Sequence, residues 1–406
     1  DIIVGLDVGT TKIACIIGEI TDQGELDVVG LGAHPSQGIR KGVVVNIKKT
    51  VESIICAVGI AELMAGIEVD SVNVGIAGGH IEAFNRQGVV AVKNKVISQV
   101  DIKRAIDAAA VQAITMDREN IHIIPQEYII DDFDGIITPL GMSGNRLEAK
   151  VHVVNAAAAS VKNIETCIRQ SGLIVKNIVL EQLASSRAVL SNDEKELGVA
   201  MIDIGGGTSD LGIFFQGAVK HTSVLGIGGN HITNDIAIGI CAPTSVAEKI
   251  KINFGCALTS LVKYDESIEV PSTGDHPGRK IQKNTLCEII EPRVVELFTL
   301  IKDDIVRSGY GGLLTAGIVL TGGSSLMEGM VQAAEKIFHL PVRLGTPKRI
   351  GGLVDIVKSP RFSTTVGLLL YEMAKTTANE KKRSFSGTNI FNKVLNRMNE
   401  WVKEFF

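Results

Sequence analysis

The sequence predicts an α/β protein of two related lobes, each interrupted by an inserted subdomain, with an amphipathic helix at the C-terminal end. An apolar strand that ends in Asp-x-Gly occurs within residues 2–12 and again within residues 199–210. In each copy a second apolar strand leaves the glycine turn, as in a hairpin. Apolar residues at helical intervals over residues 390–406 predict the C-terminal helix.

The composition is that of an ordinary globular protein. The chain has 406 residues, 45% hydrophobic and 21% charged, which is enough for two domains with separate cores. A net charge of −4 gives no indication of nucleic-acid binding. The six cysteines include no Cys-x-x-Cys pair, so we expect reduced core thiols and a cytosolic protein. We find no signal-peptide pattern and no apolar run near the ~20 residues of a spanning helix.

The two halves repeat a three-strand meander followed by helices and a further strand. In the first half the predicted strands after the opening one cover residues 13–17 and 26–30, with a helix at 47–64 and a strand at 72–77. In the second half the strands cover residues 211–215, 218–225 and 316–321, and a helix covers residues 325–339. Strand and helix alternation at this spacing indicates a mixed sheet with helical layers in each half.

These patterns divide the chain into six parts. The first-lobe core takes residues 1–80, 159–197 and 345–373, and the second-lobe core takes 198–227 and 305–344. An α+β subdomain at 81–158 contains predicted strands at 89–92, 121–130 and 146–154, and a helix at 98–115 capped by Ser98 and Asp101. A mostly helical subdomain takes 228–304. A polar flexible linker at 374–389 precedes the helix at 390–406.

The glycine turns form the predicted binding site. Glycine tolerates positive φ and lets backbone N–H groups approach an anion, so two facing turns can hold a polyphosphate from both sides. Asp7 and Asp203 end the strands before these turns and are placed to hold a hydrated Mg²⁺, which prefers oxygen ligands. A third turn at residues 321–325 would let a purine and a ribose lie against backbone. The sequence therefore predicts a duplicated nucleotide clamp.

The order of these motifs is similar to that of the actin/Hsp70/sugar-kinase ATPase superfamily. The motifs are Asp7-x-Gly9-Thr-Thr-Lys12, Glu181-Gln-Leu-Ala-Ser-Ser, Asp203-x-Gly-Gly-Gly-Thr208 and Thr321-Gly-Gly. Within it the whole chain resembles the FtsA family of bacterial division proteins, through Gly141-Met-Ser-Gly, residues 226–235, Glu291-Pro-Arg293 and the C-terminal helix. The resemblance implies duplicated actin-like (ribonuclease H-like) ATPase lobes, with residues 81–158 as the family's relocated first small subdomain.

The resemblance also implies individual site residues. Asp7, Asp203 and Glu181 would hold Mg²⁺ through waters. ATP would be bound from both lobes and the third turn, by Gly9, Thr10, Thr11, Lys12, Gly205, Gly206, Gly207, Thr208, Gly228, Gly229, Glu248, Lys249, Gly322, Gly323 and Ser324.

Some of these residues have a second interpretation. Glu181 could cap the following helix, Asp210 is equally a turn carboxylate or a site residue, and Lys12 or Lys249 taken alone would be a solvated surface lysine. No residue stands out as a catalytic base. We therefore expect an ATP-dependent assembly switch with at most weak ATPase activity.

The C-terminal segment has the composition of a helix that lies in a membrane surface. Its 17 residues span roughly 25 Å at about 1.5 Å per residue, too short and too charged to cross a bilayer. It follows the basic run Lys381-Lys382-Arg383. Its apolar stripe predicts contact with an anionic membrane by Phe391, Leu395, Met398, Trp401, Val402, Phe405 and Phe406. The alternative is a helix that docks on the body or on a partner.

The resemblance implies the partners and the function. In the FtsA family the second inserted subdomain receives the acidic tail of FtsZ, for which Arg279, Lys283 and Arg293 are candidates here, with scattered surface charge as the alternative. The chain would form actin-like filaments, contact other division proteins through residues 81–158, and anchor the FtsZ ring to the cytoplasmic face of the inner membrane at the septum.

Three rivals share the fold. A pilus-assembly relative would bind other partners. A small-molecule kinase needs a general base beside an acceptor pocket, and a chaperone of the Hsp70 kind needs a substrate domain after the ATPase; the sequence indicates neither feature.

Overall fold

The computed structural model describes residues 1–21, 23–111, 117–263, 266–271 and 278–386, with side chains described up to residue 376. The first lobe opens with an antiparallel meander and continues with a helix and a parallel strand. These elements are β1 (Ile2–Val8), β2 (Lys12–Ile20), β3 (Leu26–Pro35), β4 (Ile39–Arg40), β5 (Val43–Val44), α1 (Ile47–Ala65) and β6 (Ser71–Ile76). The predicted meander and helix are confirmed.

The ends of α1 follow from its capping residues. The Asn46 side chain accepts a hydrogen bond from the Lys49 N–H at 3.0 Å, which satisfies one of the unpaired donors of the first turn. Gly66, with φ of +68°, adopts the left-handed conformation that terminates the helix.

The inserted module forms a four-stranded antiparallel sheet with a helix packed on it, and its strands, counted along the chain, lie in the order first, fourth, second, third. The capping pair is confirmed: Asp101 Oδ2 accepts from the Ser98 N–H at 3.1 Å, and the Asp101 N–H donates to Ser98 Oγ at 3.3 Å. The elements are β7 (Ile81–Ala91), α2 (Gln99–Val111), β8 (Arg118–Ile130), β9 (Phe133–Ile136) and β10 (Arg146–Ala157).

The chain then returns to the first lobe and enters the second. The return uses α3 (Ala158–Gln170), β11 (Ile174–Leu180), α4 (Glu181–Val189) and α5 (Asn192–Leu197), and the second meander is β12 (Val199–Ile204), β13 (Ser209–Phe215) and β14 (Ala218–Leu225). The helical subdomain contains α6 (Gly229–Gly239), α7 (Thr244–Phe254), the hairpin β15 (Ser267–Val270) and β16 (Arg279–Gln282), and α8 (Lys283–Ser308). The last elements are β17 (Ile318–Thr321), α9 (Met330–Phe338), β18 (Val342–Leu344), β19 (Gly351–Gly352), α10 (Val354–Val357) and α11 (Ser363–Ser386).

The two large sheets repeat one topology. In the first lobe the order is β11-β6-β1-β2-β3-β19, and in the second it is β14-β13-β12-β17-β18. Each sheet therefore places an antiparallel meander beside two parallel strands, with β1 parallel to β6 and β12 parallel to β17. The duplication predicted from the two Asp-x-Gly strands is confirmed at the level of strand order.

Two predicted boundaries are wrong. Residues 323–326 form a single 3₁₀ turn, and α9 begins only at Met330, because Gly329 takes a left-handed φ of +80° and interrupts the helix predicted at 325–339. The linker predicted at 374–389 is helical as far as Ser386. The first turns of α11 are buried and start the helix. Residues 375–386 contain neither glycine nor proline, so no helix-breaking residue ends it there. Residues 387–406, with the whole predicted membrane helix, lie outside the described residues.

A shared core joins the lobes. Side chains from the first sheet, from α4 and α11 and from the second sheet form one buried apolar cluster that includes Ile16, Val189, Met201, Val319 and Leu369. The crossing of α4 and α11 is close, because a Cβ on Gly367 would lie 2.0 Å from the Ala184 carbonyl oxygen.

The inserted module also contacts the second lobe, through the buried side chains of Gln126 and His152 and through Asn85, which is exposed at the edge of the contact. Asn85 Nδ2 donates to the Lys220 carbonyl at 2.9 Å, and Gln126 Nε2 donates to the Val219 carbonyl at 2.7 Å. The His152 ring lies 2.7 Å from Asn85 Oδ1 through Nδ1 and 2.9 Å from Thr222 Oγ1 through Nε2. The module is thus attached to β14, an edge strand of the other lobe.

All six cysteines are free, as expected for reduced thiols. Four of them are buried, but Cys56 and Cys241 are exposed and so are not core residues.

Candidate functional site

A cavity of about 290 Å³ lies between the two lobes where all three glycine turns meet. It is lined by residues from β1–β2, from α4, from β12–β13, from α6 and α7, from the segments after β17 and before α11, and from the first turn of α11. Of the predicted residues, those in the lining are Asp7, Gly9, Thr10, Thr11, Lys12, Glu181, Asp203, Gly205, Gly206, Gly207, Thr208, Gly229, Glu248, Gly322, Gly323 and Ser324. The sequence motifs therefore converge on one site.

The first turn presents a carboxylate and an ammonium to this cavity. Asp7 is buried at the end of β1, and Lys12 Nζ lies 3.5 Å from its Oδ2. The Lys12 ammonium also lies 4.9 Å from the centre of the Phe362 ring, which holds it beside the turn. Burial raises the pKa of Asp7, and Lys12 offsets only part of that effect.

The second turn presents a buried carboxylate supported by two hydroxyl groups. Ser185 Oγ donates to Asp203 Oδ2 at 2.7 Å, and Thr364 Oγ1 donates to the same atom at 3.3 Å. Burial raises the pKa of Asp203 to about 6, and these hydrogen bonds act in the opposite direction. Thr364 comes from α11, far along the chain, and no sequence motif indicated its role.

The two turns meet directly across the cavity. A Cβ built on Gly206 would lie 1.8 Å from Thr11 Oγ1, and one on Gly207 would lie 2.6 Å from Thr10 Oγ1. Thr10 Oγ1 also accepts a hydrogen bond from the Gly42 N–H at 3.0 Å. A side chain at either glycine would therefore force the facing threonine to move.

Four carboxylates gather on one side of the cavity. Asp7, Glu181, Asp203 and Asp210 all line it, and burial, followed by repulsion from the other carboxylates, raises the pKa of Glu181 and Asp210 well above their ordinary values. Within the described residues no three His, Cys, Asp or Glu side chains are close enough to hold a metal directly. An oxygen-only set of this kind fits a cation bound through its waters, which is how Mg²⁺ usually binds.

Glu181 and Asp210 can now be assigned a place. Glu181 is the first residue of α4, and no side chain caps that helix; the carboxylate lies in the cavity instead. Asp210 Oδ2 accepts from Thr208 Oγ1 at 3.2 Å and Oδ1 accepts from Gln182 Nε2 at 3.3 Å. Asp210 is thus both a turn carboxylate and a residue of the cavity wall.

The third turn packs against the second. Gly322 has φ of +87°, and a Cβ there would lie 2.4 Å from Asp203 Oδ1. Ser324 Oγ donates to the Gly205 carbonyl at 3.0 Å. The residues predicted to face a purine are therefore fixed directly beside the second glycine turn.

Lys249 is not part of the cavity wall. On α7 the residues that line the cavity are Glu248, Lys251 and Ile252, at the i, i+3 and i+4 spacing of one helix face, and Lys249 is exposed on another face. Lys251 Nζ takes the position expected for a site lysine, 2.8 Å from Glu248 Oε2 and 3.1 Å from the Gly229 carbonyl. Of these two lysines, Lys251 lines the cavity and the predicted Lys249 does not.

Gly228 stands just behind the wall. It caps α6, and a Cβ there would lie 2.7 Å from the Gly205 carbonyl oxygen. The next two N–H groups bond to the same turn, from Gly229 to the Gly205 carbonyl at 2.9 Å and from Asn230 to the Gly206 carbonyl at 2.8 Å. The sequence reasoning missed several further residues of the wall, which are Asn230, Ile232, Leu326, Met327, Pro360 and Arg361.

Comparison with known proteins identifies the family. A sequence profile described as "Cell division protein FtsA" matches residues 200–367, and one described as "SHS2 domain inserted in FTSA" matches residues 78–155. The protein named cell division protein FtsA from Pseudomonas aeruginosa is 50% identical over 99% of this chain and 97% of its own length. The chain belongs to the FtsA family. The FtsA of Escherichia coli K12 is 39% identical over all of this chain and 98% of its own length.

Solved structures show the same fold at low sequence identity. A chain of the PilM-PilN type IV pilus biogenesis complex aligns with a TM-score of 0.67 and 15% identity, over 91% of this chain and 98% of that chain. MreB5 of Spiroplasma citri bound to ADP aligns with a TM-score of 0.56 and 15% identity, over 95% and 99%. The fold is thus actin-like, and identities of 39–50% to FtsA proteins decide between a division protein and the rivals of the same fold. The chain is an actin-like cell-division protein.

The basic residues predicted to bind the FtsZ tail are engaged within the chain. Arg293 donates through Nε to Asp235 Oδ2 at 2.6 Å and through Nη2 to Asp235 Oδ1 at 3.1 Å. Lys283 lies 3.0 Å from Glu266, and Arg279 bonds to the Ile240 carbonyl. These contacts hold the three side chains on one subdomain. The three residues therefore do not form a row of unpaired cations. Among the described helices, none is both long and apolar enough to cross a membrane.

Proposed function

We propose that this member of the FtsA family binds ATP with Mg²⁺ in the cavity between the lobes. The observation that supports this is the direct approach of the two phosphate turns, Gly206 to Thr11 and Gly207 to Thr10, beside four desolvated carboxylates. Bound Mg²⁺ would neutralise charge on the triphosphate and on these carboxylates. Because both lobes would contact one ligand, ATP would shift their equilibrium toward closure by its differential affinity for the closed state.

We expect Asp203→Ala to lose ATP binding while the fold survives, because the side chain is needed for Mg²⁺ rather than for packing. The measurement is titration with a fluorescent ATP analogue in the presence and absence of Mg²⁺, with thermal unfolding to monitor the fold. Asp107→Ala, at an exposed position of α2, is the matched control. An ATP affinity in the Asp203 variant within twofold of the parent would contradict the clamp.

The closed, nucleotide-bound state is proposed to assemble into actin-like filaments on the membrane and to connect the FtsZ ring to it. The family membership supports this role in division, and the amphipathic pattern of residues 390–406 supports membrane attachment at the cytoplasmic face of the inner membrane. Residues 81–158 would contact further division proteins. Hydrolysis, if it occurs, would be slow, and the role of ATP would be to control assembly.

The membrane proposal has a direct test. Trp401→Glu with Phe405→Glu places two charges on the apolar stripe and should abolish sedimentation with vesicles that contain phosphatidylglycerol. Lys393→Gln, on the polar face, should weaken binding only slightly, since each basic residue near an anionic surface contributes about 1 kcal/mol. Sedimentation of the double variant at the parental level would exclude this segment as the anchor.

For the FtsZ tail, Arg293 is the residue best placed for a test. Its guanidinium already makes a bidentate pair with Asp235, so an acidic peptide would have to compete for it or bind beside it. Arg293→Glu should reduce capture of an FtsZ tail peptide at least tenfold. Arg307→Glu lies on the same helix with a 74% exposed side chain and serves as the charge-matched control. Equal capture by both variants would locate the tail elsewhere.

A further inference from the structure

A second cavity, of about 600 Å³, lies at the other end of α4 from the nucleotide cavity. Glu181, at the start of α4, lines the nucleotide cavity, and Arg187, in its last turn, lines the second one. The walls of the second cavity come from the β2–β3 turn, α4, α5, the segment before β19, and α11. The two cavities share no lining residue.

Three cationic side chains from separate elements line this second cavity. They are Arg187 on α4, Lys195 on α5 and Arg349 in the segment before β19. Within the described part of the chain none of the three forms an ion pair or a side-chain hydrogen bond. Glu194, the carboxylate next to Lys195, is already bonded to Arg343 at 2.6 and 2.8 Å. Among the described residues that line the cavity Glu25 is the only acidic one, so these residues carry an excess of positive charge.

Aromatic rings and backbone geometry hold these cations in place. The Arg187 guanidinium lies 5.2 Å from the centre of the Tyr371 ring, and Lys195 Nζ lies 5.4 Å from the centre of the Phe214 ring. Arg349 has φ of +64°, a conformation that non-glycine residues rarely adopt and that is often retained at functional sites. Burial, followed by the two arginines, lowers the pKa of Lys195 to about 8. An anion between the three groups would relieve their repulsion.

We infer that this cavity binds a phosphate group, with Arg187, Lys195 and Arg349 as its ligands. Arginine binds phosphate with two parallel hydrogen bonds, and lysine adds a point charge. The remaining wall is partly apolar, through Leu26, Ile350, Leu370, Met373 and Ala374, and suits a ligand with a non-polar part beside the phosphate.

Two sources of such a phosphate are compatible with the cavity, the headgroup of an anionic phospholipid and a free phosphorylated compound. The headgroup is a candidate because α11, which supplies one wall, continues to Ser386 just before the predicted membrane helix. Only this choice of source rests on the proposed membrane function; the phosphate site itself does not.

The first arm of the test uses inorganic phosphate and the full-length chain, saturated with Mg·ATP so that the nucleotide cavity is occupied. Phosphate should raise the unfolding temperature relative to chloride at equal ionic strength, because a ligand of the folded state stabilises it. Arg187→Gln with Arg349→Gln should reduce phosphate affinity at least tenfold. The control is Lys348→Gln with Lys358→Gln, which removes the same charge from exposed positions outside both cavities.

The double variant loses the Arg187–Tyr371 contact, and this loss could impair its folding. Arg349→Gln alone is therefore measured as well, because Arg349 is exposed and should not be needed for the fold. A phosphate response that is equal in the parent, the cavity variants and the control would overturn the inference.

The second arm identifies the source with vesicles of phosphatidylglycerol or phosphatidylcholine. A threefold or greater loss of phosphatidylglycerol binding in the cavity variants, but not in the control, assigns a lipid headgroup. Unchanged vesicle binding together with a lost phosphate response assigns a free phosphorylated compound. A parent chain that binds neither vesicle would contradict the membrane proposal, and the phosphate arm would still decide the cavity.

Discussion

At the scale of single residues, the cavity depends on two positions that carry no side chain. Gly206 and Gly207 have no side chain, and this absence lets the threonines of the first turn come within contact distance of the second. The four carboxylates are individually ordinary in sequence, and their raised pKa values arise because folding buries them together. A bound divalent cation would reverse that effect by favouring the charged forms.

A double-mutant cycle tests the contact between the turns. Gly206→Ala should cost about 1–3 kcal/mol of unfolding free energy through overpacking and should weaken ATP binding about tenfold. Thr11→Ala removes the Oγ1 atom at 1.8 Å from the new Cβ, so the double variant should recover at least about 1 kcal/mol. Urea unfolding of the four proteins measures the coupling. Additive effects would show that the turns do not touch in solution.

The phase of α7 explains why the predicted residue Lys249 does not line the cavity. The family resemblance implied Glu248 and Lys249, but adjacent residues on a helix point in different directions. Lys251 lines the cavity because it lies one turn after Glu248. An i, i+3 rule applied to a predicted helix would have found it, whereas Thr364 and Arg361 had no local signal.

At the scale of elements, α4 and α11 of the first lobe pack in the core that the two sheets share. Both helices contribute to the core that joins the two sheets, and each also supplies residues to a cavity. Gly367 allows the helices to approach within backbone contact of Ala184. Movement of one lobe against the other would therefore change the packing of these helices against the second sheet.

Two glycine-to-alanine substitutions should change the free energy of unfolding in opposite directions. Gly59 lies inside α1, and a Cβ added there would have no other atom within 4 Å, so Gly59→Ala should stabilise the protein by about 0.5–1 kcal/mol through higher helix propensity. Gly367→Ala gains the same propensity but places its Cβ 2.0 Å from the Ala184 carbonyl oxygen, and should destabilise by about 1–3 kcal/mol. Chemical denaturation measures both, and stabilisation by both would contradict the close crossing.

At the scale of the whole molecule, the inserted module is linked to both lobes through histidines held neutral. His122 Nε2 accepts a hydrogen bond from the Leu180 N–H at 2.9 Å, directly before Glu181. His152 bridges Asn85 and Thr222 at the second lobe. Burial lowers the pKa of His122 to about 4 and that of His152 to about 3, so neither is charged at neutral pH.

The sign of the resulting pH dependence follows from proton linkage. Below about pH 6.5 the unfolded chain protonates both histidines, whereas the folded chain does not until about pH 4 and about pH 3. Their contribution to stability is complete above pH 6.5 and falls as the pH drops toward these folded values. The cavity carboxylates change stability in the opposite direction, since the pKa of Asp203 is raised to about 6.

Comparison of variants separates these effects. Between pH 7.5 and 5.0 the parent should lose about 2 kcal/mol more unfolding free energy than His152→Gln, which supplies a neutral donor and acceptor at that site. His339→Asn, at an exposed position, should follow the parental curve. Urea unfolding at each pH measures the difference, and parallel curves for the parent and His152→Gln would contradict the assignment of a neutral, buried histidine.

The sequence alone determined the duplicated strands, the glycine turns and most of the predicted residues that line the cavity between the lobes, because these depend on local patterns such as apolar runs, turn residues and short motifs. It also predicted the inserted module and the caps of its helix. Only the tertiary structure decided which lysine of α7 faces the cavity, how Thr364 and Ser185 support Asp203, and where three distant cations meet. These features depend on helix phase and on contacts between segments far apart in the chain, which leave no local signal in the sequence.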